Sequence, residues 1–164
     1  MELGKAVTAT LHLERILVII FERLNQMIRA KNWTLFLLEP DTRELRFELV
    51  AGLQDYSLSK VRIKVGEGIA GTVAKTGEPI LVPDVGQDPR FSQKIDTLTG
   101  FVTRSLICLP LKIQDAVIGV IEVVNPEDDS LFDEQAIPVL SILADFVAIA
   151  IANARVHREM EALT

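Results

Sequence analysis

Residues 132–160 are predicted to form one long helix, which constrains the fold of this chain more than any other segment does. At about 100° per residue, the apolar residues of this helix form two adjoining stripes. A helix on the surface of a globular protein needs a single apolar stripe of about 100°, so two stripes indicate two packing partners. One stripe contains Ile137, Leu140, Ala144, Val147, Ile151 and Ala154; the other contains Val139, Ile142, Leu143, Phe146, Ile149 and Ala150.

We expect a β-sheet to cover one stripe, and the first helix with its copy in a second subunit to cover the other. The first helix is predicted over residues 11–29, where apolar residues recur at spacings of three and four. The alternative is a last helix that is buried within one subunit. The predicted dimer interface consists of Leu13, Leu17, Ile20 and Leu24 in the first helix and Leu140, Ala144, Val147 and Ile151 in the last.

Short alternating or β-branched runs, bounded by turn residues, predict six strands between the two helices. The last two strands form a hairpin around Gln114 and Asp115, and Pro110 indicates a bulge or an irregular edge. A short helix over residues 69–74 and an irregular segment over residues 84–101 complete the order. The predicted strands cover residues 33–38, 45–51, 61–65, 79–82, 105–113 and 116–124.

Length and charge favour one domain that does not bind nucleic acid. The 164 residues, 49% of them hydrophobic, are enough to fill one core, and no linker or internal repeat interrupts the sequence. The net charge is −6 and the basic residues are scattered, so the positive charge that would neutralise phosphates is missing. We predict a single domain over residues 10–155, followed by the start of a connecting helix at residues 156–164.

The sequence gives no sign of export, of a membrane span or of a disulfide scaffold. Its start lacks the apolar segment of a signal peptide, and no apolar run approaches the roughly 20 residues that span a bilayer. Cys108 is the single cysteine, so it can form neither an internal disulfide nor a thiolate metal cluster. We therefore expect a cytoplasmic protein without a membrane partner.

The inventory of nucleophiles and bases argues against catalysis. His12 and His157 fall in the two terminal helices, far in sequence from the irregular segment. No cluster of His, Cys, Asp and Glu has the spacing of metal ligands, and Cys108 lies in an apolar strand, where it is interpreted as a small core residue. The chain is expected not to be an enzyme and to bind no metal, and its residues identify no cofactor.

Three motifs, in the right order, resemble those of GAF domains. The first is Gly-Glu-Gly-Ile-Ala-Gly-Thr-Val-Ala at residues 66–74, followed by Thr-Gly-Glu-Pro at residues 76–79. Residues 99–111 are similar to the family's segment that enters the fourth strand, and Gly-Val-Ile-Glu-Val-Val-Asn at residues 119–125 is similar to its fifth strand. The resemblance covers residues 10–155.

The resemblance implies an α+β fold, related to PAS domains, with a central antiparallel sheet of about six strands. The N- and C-terminal helices would lie on one face of the sheet, and a ligand pocket would lie under loops and short helices on the other. In the family this pocket binds cyclic nucleotides, small organic acids, tetrapyrroles, haem or other ligands, so the fold does not name the ligand.

A regulatory function is therefore expected, in which a small molecule orders residues 84–104 and changes the packing of the terminal helices in a homodimer. The helical pattern continues through residues 155–162 and is expected to lead to an output domain. Two alternatives stay open. One is a structural dimerisation module without a ligand, and the other is a reductase of a free small molecule, which would need a cysteine nucleophile with a resolving partner.

The GAF domains that bind cyclic nucleotides carry a signature of Asn-Lys, then Phe, then Asp. Asn125 and Phe132 match this signature, but Pro126 replaces the lysine and Ala136 stands where the aspartate is expected. The ion pair between that lysine and aspartate is lost, which argues against a cyclic nucleotide as the ligand.

Arg104 is the best single candidate for recognising a carboxylate or phosphate, since a guanidinium fork matches either group and the resemblance places it at the pocket rim. Phe91 and Phe101 are candidates for stacking on a ring. The glycines of residues 66–71 either bring backbone amides to an anion or only allow a tight turn. The predicted ligand-binding residues are Ile69, Gly71, Asp84, Phe91, Asp96, Thr97, Phe101, Thr103, Arg104 and Glu122.

Overall fold

One antiparallel sheet of six strands divides the protein into two layers. The structure, a computed structural model, describes residues 2–51, 58, 60–127 and 133–163. The strand order across the sheet is β3-β2-β1-β6-β5-β4. In chain order the elements are α1 (Glu2–Met27), β1 (Ala30–Glu39), β2 (Glu44–Ala51), β3 (Arg62–Lys64), α2 (Gly68–Thr76), β4 (Ile80–Val82), a short 3₁₀ helix (Val85–Gln87), α3 (Lys94–Thr99), β5 (Leu106–Ile113), β6 (Ala116–Pro126) and α4 (Ala136–Leu163).

The central strands bury apolar residues on both faces, because successive side chains of a strand point to opposite sides. In β1, Trp33, Leu35 and Leu37 face a helix-side cluster shared with α1 and α4, whereas Phe36 and Leu38 face a pocket-side cluster shared with α2. Strands β5 and β6 alternate in the same way. The expected α+β architecture, with terminal helices on one face of the sheet and short helices on the other, is confirmed.

The end of α1 is fixed on the first strand by an aromatic contact and by two hydrogen bonds. The ring of Phe21 meets the ring of Trp33 edge to face, with 6.1 Å between centroids. The Oδ1 atom of Asn25 accepts hydrogen bonds from Trp33 Nε1 at 3.0 Å and from the Ala30 amide at 3.1 Å. These contacts set the angle at which the chain leaves α1 and enters the sheet.

The last helix begins at Ala136, four residues later than predicted. The carboxylate of Asp133 accepts hydrogen bonds from the backbone amides of Gln135 and Ala136, at 2.9 and 3.2 Å, and so caps the first turn. Phe132, the predicted start, lies outside the described residues. Pro138 falls in the first turn, where its missing amide proton costs nothing because that amide has no partner within the helix.

Six of the eight residues predicted for a dimer interface are core residues of this chain, and their assignment to an interface is wrong. Ile20 is half-buried against the helix-side cluster, and the side chain of Leu13 lies outside the described part. A spacing of three and four identifies an apolar stripe but does not tell which of two stripes meets the sheet. The buried members are Leu17, Leu24, Leu140, Ala144, Val147 and Ile151.

The second stripe of α4 contains four large apolar side chains that are exposed to solvent. Val139, Ile142, Phe146 and Ile149 are all exposed, and Phe146 is 65% exposed. By length and composition alone, the segment Ala136–Val156 could cross a membrane, contrary to the expectation that no apolar run is long enough. Its inner stripe belongs to the helix-side cluster of the core.

The hairpin between β5 and β6 turns at the predicted residues. Gln114 and Asp115 both have positive φ angles, of 50° and 69°, which matches the twist of the strands that they join. Pro110 lies beyond the short pairing of β4 with residues Leu106 to Cys108, and the register shifts between Leu111 and Lys112. The irregularity predicted from Pro110 is therefore present.

Gly119 is the position where the central strands leave no space for a side chain. A Cβ atom there would collide with the backbone carbonyl of Phe36. We expect Gly119→Ala to lower the free energy of unfolding by about 3 kcal/mol, the upper end of usual overpacking costs. The matched control is Gly100→Ala, at a positive φ but with no atom within 4 Å, which should cost about 1 kcal/mol. Urea unfolding followed by circular dichroism measures both, and equal costs would contradict the close approach of the strands.

Candidate functional site

A cavity of about 70 Å³ lies between the sheet and the layer that holds α2 and α3. This volume is enough for several water molecules or for one small ligand. Most of the lining is apolar and comes from the pocket-side cluster, including Phe36, Ile69 and Leu106. The polar side chains in the lining are Asn32, Thr34, Glu67, Ser92, Lys94, Asp96, Thr99, Thr103 and Glu122.

The floor of the cavity is formed by three polar residues on adjacent strands. Thr34 on β1 pairs with Glu122 on β6, and Asn32 pairs with Val124. Asn32 and Thr34 are two residues apart on one strand, so both side chains point to the same face. On the other side of β6, Cys108 of β5 pairs with Glu122. Polar groups are thus concentrated at one point of an otherwise apolar surface.

Asn32 carries a buried acceptor without a partner. The residue is 5% exposed, and its Oδ1 atom has no hydrogen bond within the described part of the chain. A buried polar atom that is left unsatisfied costs about 1–3 kcal/mol. Buried polar groups are nearly always hydrogen-bonded in proteins, so this exception, in a residue that lines the cavity, indicates a place for a bound water or another donor.

Glu122 lies at the bottom of the same cavity. Removal from water raises the pKa of its carboxyl group to about 7, and the nearby negative charge of Asp96 adds to the effect. Protein surrounds the Glu122 side chain, and the surface that it leaves accessible faces the cavity. The carboxyl group therefore changes its charge near neutral pH.

Burial also decides the state of the cysteine. Cys108 has no exposed surface, and burial, followed by the charge of Glu122, raises the pKa of its thiol well above the usual range. A thiol of this kind stays protonated and makes a poor nucleophile. Among the described residues, no group of three or more His, Cys, Asp and Glu side chains could hold a metal ion. The side chains of His12 and His157 lie outside the described part.

Helix α3 covers the cavity and is held by polar contacts of two of its side chains. At one end, Lys94 Nζ donates a hydrogen bond of 2.8 Å to the carbonyl of Arg62. Further along α3, the carboxylate of Asp96 accepts hydrogen bonds from the amide and the hydroxyl of Thr103, both at 2.8 Å. Thr103 belongs to the segment that leads into β5. A few polar contacts therefore hold the cover of the cavity in place.

Asn125 holds the segment that follows α3. Its Oδ1 atom accepts hydrogen bonds from the amides of Arg104 and Ser105, at 2.7 and 3.2 Å, and its Nδ2 atom donates to the carbonyl of Val102 at 2.8 Å. The residue is buried, and its φ is 51°. The asparagine that matches the cyclic-nucleotide signature thus has a structural role in this chain.

The structure brings six of the ten predicted ligand-binding residues to the cavity: Ile69, Phe91, Asp96, Phe101, Thr103 and Glu122. Gly71 lies where α2 touches the backbone of Lys64 and Gly66, so the tight-turn interpretation describes it. Asp84 caps the 3₁₀ helix by accepting a hydrogen bond from the Gly86 amide, and Thr97 is exposed on α3.

Arg104 lies outside the cavity. It is exposed and lines a separate surface groove together with Lys31 and Glu127. The resemblance to GAF domains implied a position at the pocket rim. However, side chains alternate along an extended segment, so Thr103 faces the cavity and Arg104 faces away from it.

Asn32 and Thr34 were missed by the sequence analysis. The predicted strand began at Trp33 and was read as one apolar run. Two polar residues at alternate positions of a buried strand are the signal that could have identified them, because that spacing places both on one face. Lys94, Glu67 and Thr99 carry no comparable signal, since polar residues in loops and short helices are usual.

The fold and the covered cavity define a class of small α+β domains, and comparison with known proteins identifies the family. The model of the GAF domain matches residues 12–151, and the chain belongs to the GAF domain family. The GAF domain of a phosphoenolpyruvate-protein phosphotransferase from Coxiella burnetii has the same fold, with a TM-score of 0.76 at 23% identity over 94% of this chain and 95% of that one. A Staphylococcus aureus NreA protein mutated in its nitrate binding site matches with a TM-score of 0.58 at 20% identity over 69% of this chain and 87% of that one.

Similar sequences occur within larger signalling enzymes. The chain is 41% identical, over 62% of its length, to a dual 3',5'-cyclic-AMP and -GMP phosphodiesterase 11 of Drosophila melanogaster, and 37% identical, over 79%, to phosphodiesterase 11A of Takifugu rubripes. It spans only 7% and 15% of the length of these two proteins. The likeness lies in their GAF region, which is regulatory and is not itself catalytic.

The raised pKa of Glu122 predicts how stability depends on pH. The unfolded chain releases this proton near the ordinary value of 4.5, whereas the folded protein holds it up to about 7. The folded state therefore binds more protons between these values, and the free energy of unfolding falls as the pH rises from 5 to 8, by on the order of 3 kcal/mol at full effect. The Glu122→Gln variant has no ionisable group at this position, so its free energy of unfolding should not fall in this way.

Urea unfolding of both proteins at pH 5 and pH 8 tests this prediction. The variant should gain stability relative to the wild type as the pH rises. The matched control, Glu78→Gln, removes a carboxyl group at an exposed position away from the cavity. An identical pH dependence in wild type and Glu122→Gln would show that Glu122 is not a buried acid.

Proposed function

We propose that this chain is a regulatory sensor domain of a signal-transduction protein, in which a small molecule binds in the covered cavity and changes the packing of the terminal helices. The observation that carries the proposal is the unpartnered Asn32 acceptor on the floor of the cavity. The alternative, a purely structural module, requires a pocket that is filled by its own side chains. In such a pocket we expect a buried acceptor either to have a hydrogen-bond partner or to be replaced by an apolar group. We further propose that the domain acts in the cytoplasm.

The two strands of the cavity floor share the helix-side cluster with the terminal helices, and α4 packs chiefly on β5, which pairs with β6. Asn32 and Thr34 alternate along β1 with Trp33 and Leu35, which contact the helix-side cluster. On β6, Glu122 stands between Ile121 and Val123 of that cluster. A ligand that moves the floor by a fraction of an ångström would therefore also move residues against which α1 and α4 pack.

We propose that the partner in signalling is a second copy of this chain, bound through α4. Exposed residues on one face of α4 follow spacings of three and four without a break, and all of them except Asn153 are apolar. This is the heptad pattern of a coiled-coil seam. In this heptad pattern the exposed Asn153 stands at an a position. An asparagine at a single a position fixes the register of two-stranded coiled coils. The exposed seam consists of Val139, Ile142, Phe146, Ile149, Asn153, Val156 and Met160.

The size and charge of the cavity argue against two kinds of ligand that the names of similar proteins mention, cyclic nucleotides and nitrate. The free space in the cavity, about 70 Å³, favours a ligand smaller than a cyclic nucleotide. The lysine and aspartate of the cyclic-nucleotide signature are also absent from positions 126 and 136. Nitrate is small enough, but the carboxylates of the lining would oppose an anion. A reductase is disfavoured by the buried Cys108.

A thermal-shift screen of the purified chain tests the sensor proposal, because a ligand that binds only the folded state raises the unfolding midpoint. The panel includes cyclic AMP, cyclic GMP, nitrate, amino acids, and small amines and carboxylates. We expect at least one compound to raise the midpoint and to slow hydrogen exchange in α3. Asn32→Leu, on the cavity floor, should abolish the shift. Thr97→Ala, on α3 but outside the cavity, should keep it. A flat screen at millimolar concentrations would favour the structural module.

The dimer proposal predicts that a charge in the exposed seam separates the subunits. Ile149→Glu should remain folded, since Ile149 is exposed, but should sediment as a monomer at concentrations where the wild type is a dimer. The matched control is Lys75→Glu, which changes an exposed charge on the opposite side of the sheet. Analytical ultracentrifugation distinguishes the two, and a wild type that stays monomeric at high concentration would refute the proposal.

A further inference from the structure

We infer that the ligand of this cavity presents a positively charged hydrogen-bond donor, such as a primary ammonium group, to Glu122 and Asn32. This inference rests on the proposed sensor function and names the chemistry of its ligand. It departs from the expectation, based on Arg104, that the ligand is an anion.

The positions of the floor residues leave room for a donor between them. Because Asn32 pairs with Val124 and Thr34 with Glu122, Asn32 and Glu122 are diagonal neighbours on adjacent antiparallel strands. Such neighbours lie roughly 7 Å apart at their Cβ atoms. A group with two or three N–H bonds could therefore donate to Asn32 Oδ1 and to the Glu122 carboxylate at the same time, and an ammonium group has three.

The charges of the lining favour a cation. Glu67, Asp96 and Glu122 are acidic, and Lys94 is the one basic side chain among the described residues of the lining. Lys94 is exposed and donates to the carbonyl of Arg62 at the edge of α3. The charge inside the cavity is therefore negative. A cation removes the repulsion between Asp96 and Glu122, whereas an anion increases it.

The remaining polar groups of the cover already have partners. Both carboxylate oxygens of Asp96 accept hydrogen bonds from Thr103, and the hydroxyl of Thr99 donates to the carbonyl of Ile95 at 3.0 Å. The acceptor without a partner, Asn32 Oδ1, is part of a floor residue and not of the cover. The floor does offer donors, the Asn32 amide nitrogen and the Thr34 hydroxyl, so it is the negative charge of Glu122 and Asp96 that disfavours an anion.

Binding of such a ligand should strengthen as the pH rises. The titratable groups facing Glu122 are the Cys108 thiol on β5 and Asp96 on α3, with Glu67 and Lys94 further out in the lining. Since the pKa of Glu122 is about 7, about a tenth of it is ionised at pH 6 and about nine tenths at pH 8. The affinity for an alkylammonium ion, which keeps its charge throughout, should therefore rise about tenfold.

Isothermal titration calorimetry with three compounds of matched size tests the inference. Propylammonium chloride, sodium propionate and propanol share one carbon chain and differ in the charge of the polar end. Propylammonium should bind most tightly, and its affinity should rise about tenfold from pH 6 to pH 8. In Glu122→Gln the affinity at pH 8 should fall at least tenfold and lose its pH dependence, whereas Arg104→Ala, outside the cavity, should behave as wild type.

The outcomes separate this inference from the proposed function. Tighter binding of propionate or propanol, or an affinity for propylammonium that falls as the pH rises, would overturn the inference and leave the sensor proposal standing. No binding by these three compounds, together with a hit for a neutral or anionic member of the screening panel, would have the same meaning. No binding by any compound would overturn both. The comparison among three compounds on the wild type does not depend on whether a variant folds.

Discussion

The pairing of β1 with β6 is the interaction on which the rest of the structure depends. These two strands occupy the centre of the sheet, and each buries side chains on both faces. Gly119 allows β6 to approach the backbone of Phe36, where a methyl group would already collide. The helix-side cluster, the pocket-side cluster and the floor of the cavity all take their positions from this pair. A shift of one residue in its register would exchange the floor residues with the aliphatic core.

The polar floor lowers the stability of this central pair. An unpartnered acceptor on Asn32 and a carboxyl group on Glu122 replace apolar contacts at the middle of the sheet. Either residue could be replaced by an aliphatic side chain without violating the alternation of its strand. Sequences usually deviate from the pattern that favours folding where function requires it. The cost concentrated at one point of the sheet is therefore an argument for a ligand that does not depend on the family.

The architecture could be predicted from the sequence, but the roles of particular residues only in part. The strands, the hairpin at Gln114 and Asp115 and the two stripes of α4 follow from periodicity, which is a local property. Which stripe faces the sheet is not local, and the predicted dimer interface was therefore assigned to core residues such as Val147. Arg104 was favoured for its chemistry, but its side chain points away from the cavity. Side chains alternate between two faces along this segment, and the sequence alone does not tell which face meets the cavity. Asn32 was missed because the strand was taken to begin one residue later.

Coupling between the cavity and α4 is limited by the difference in ligand affinity between two arrangements of the helices. Couplings between sites in proteins are typically about 1–3 kcal/mol. The cost of an unsatisfied Asn32 acceptor and of a charged Glu122 lies in the same range. A ligand that satisfies these two groups in only one arrangement of β1 and β6 could therefore supply the whole coupling energy. The inner stripe of α4 packs chiefly on β5, which pairs with β6. The exposed seam lies on the adjoining face of the same helix, so a small rotation of α4 would change the seam offered to a second subunit.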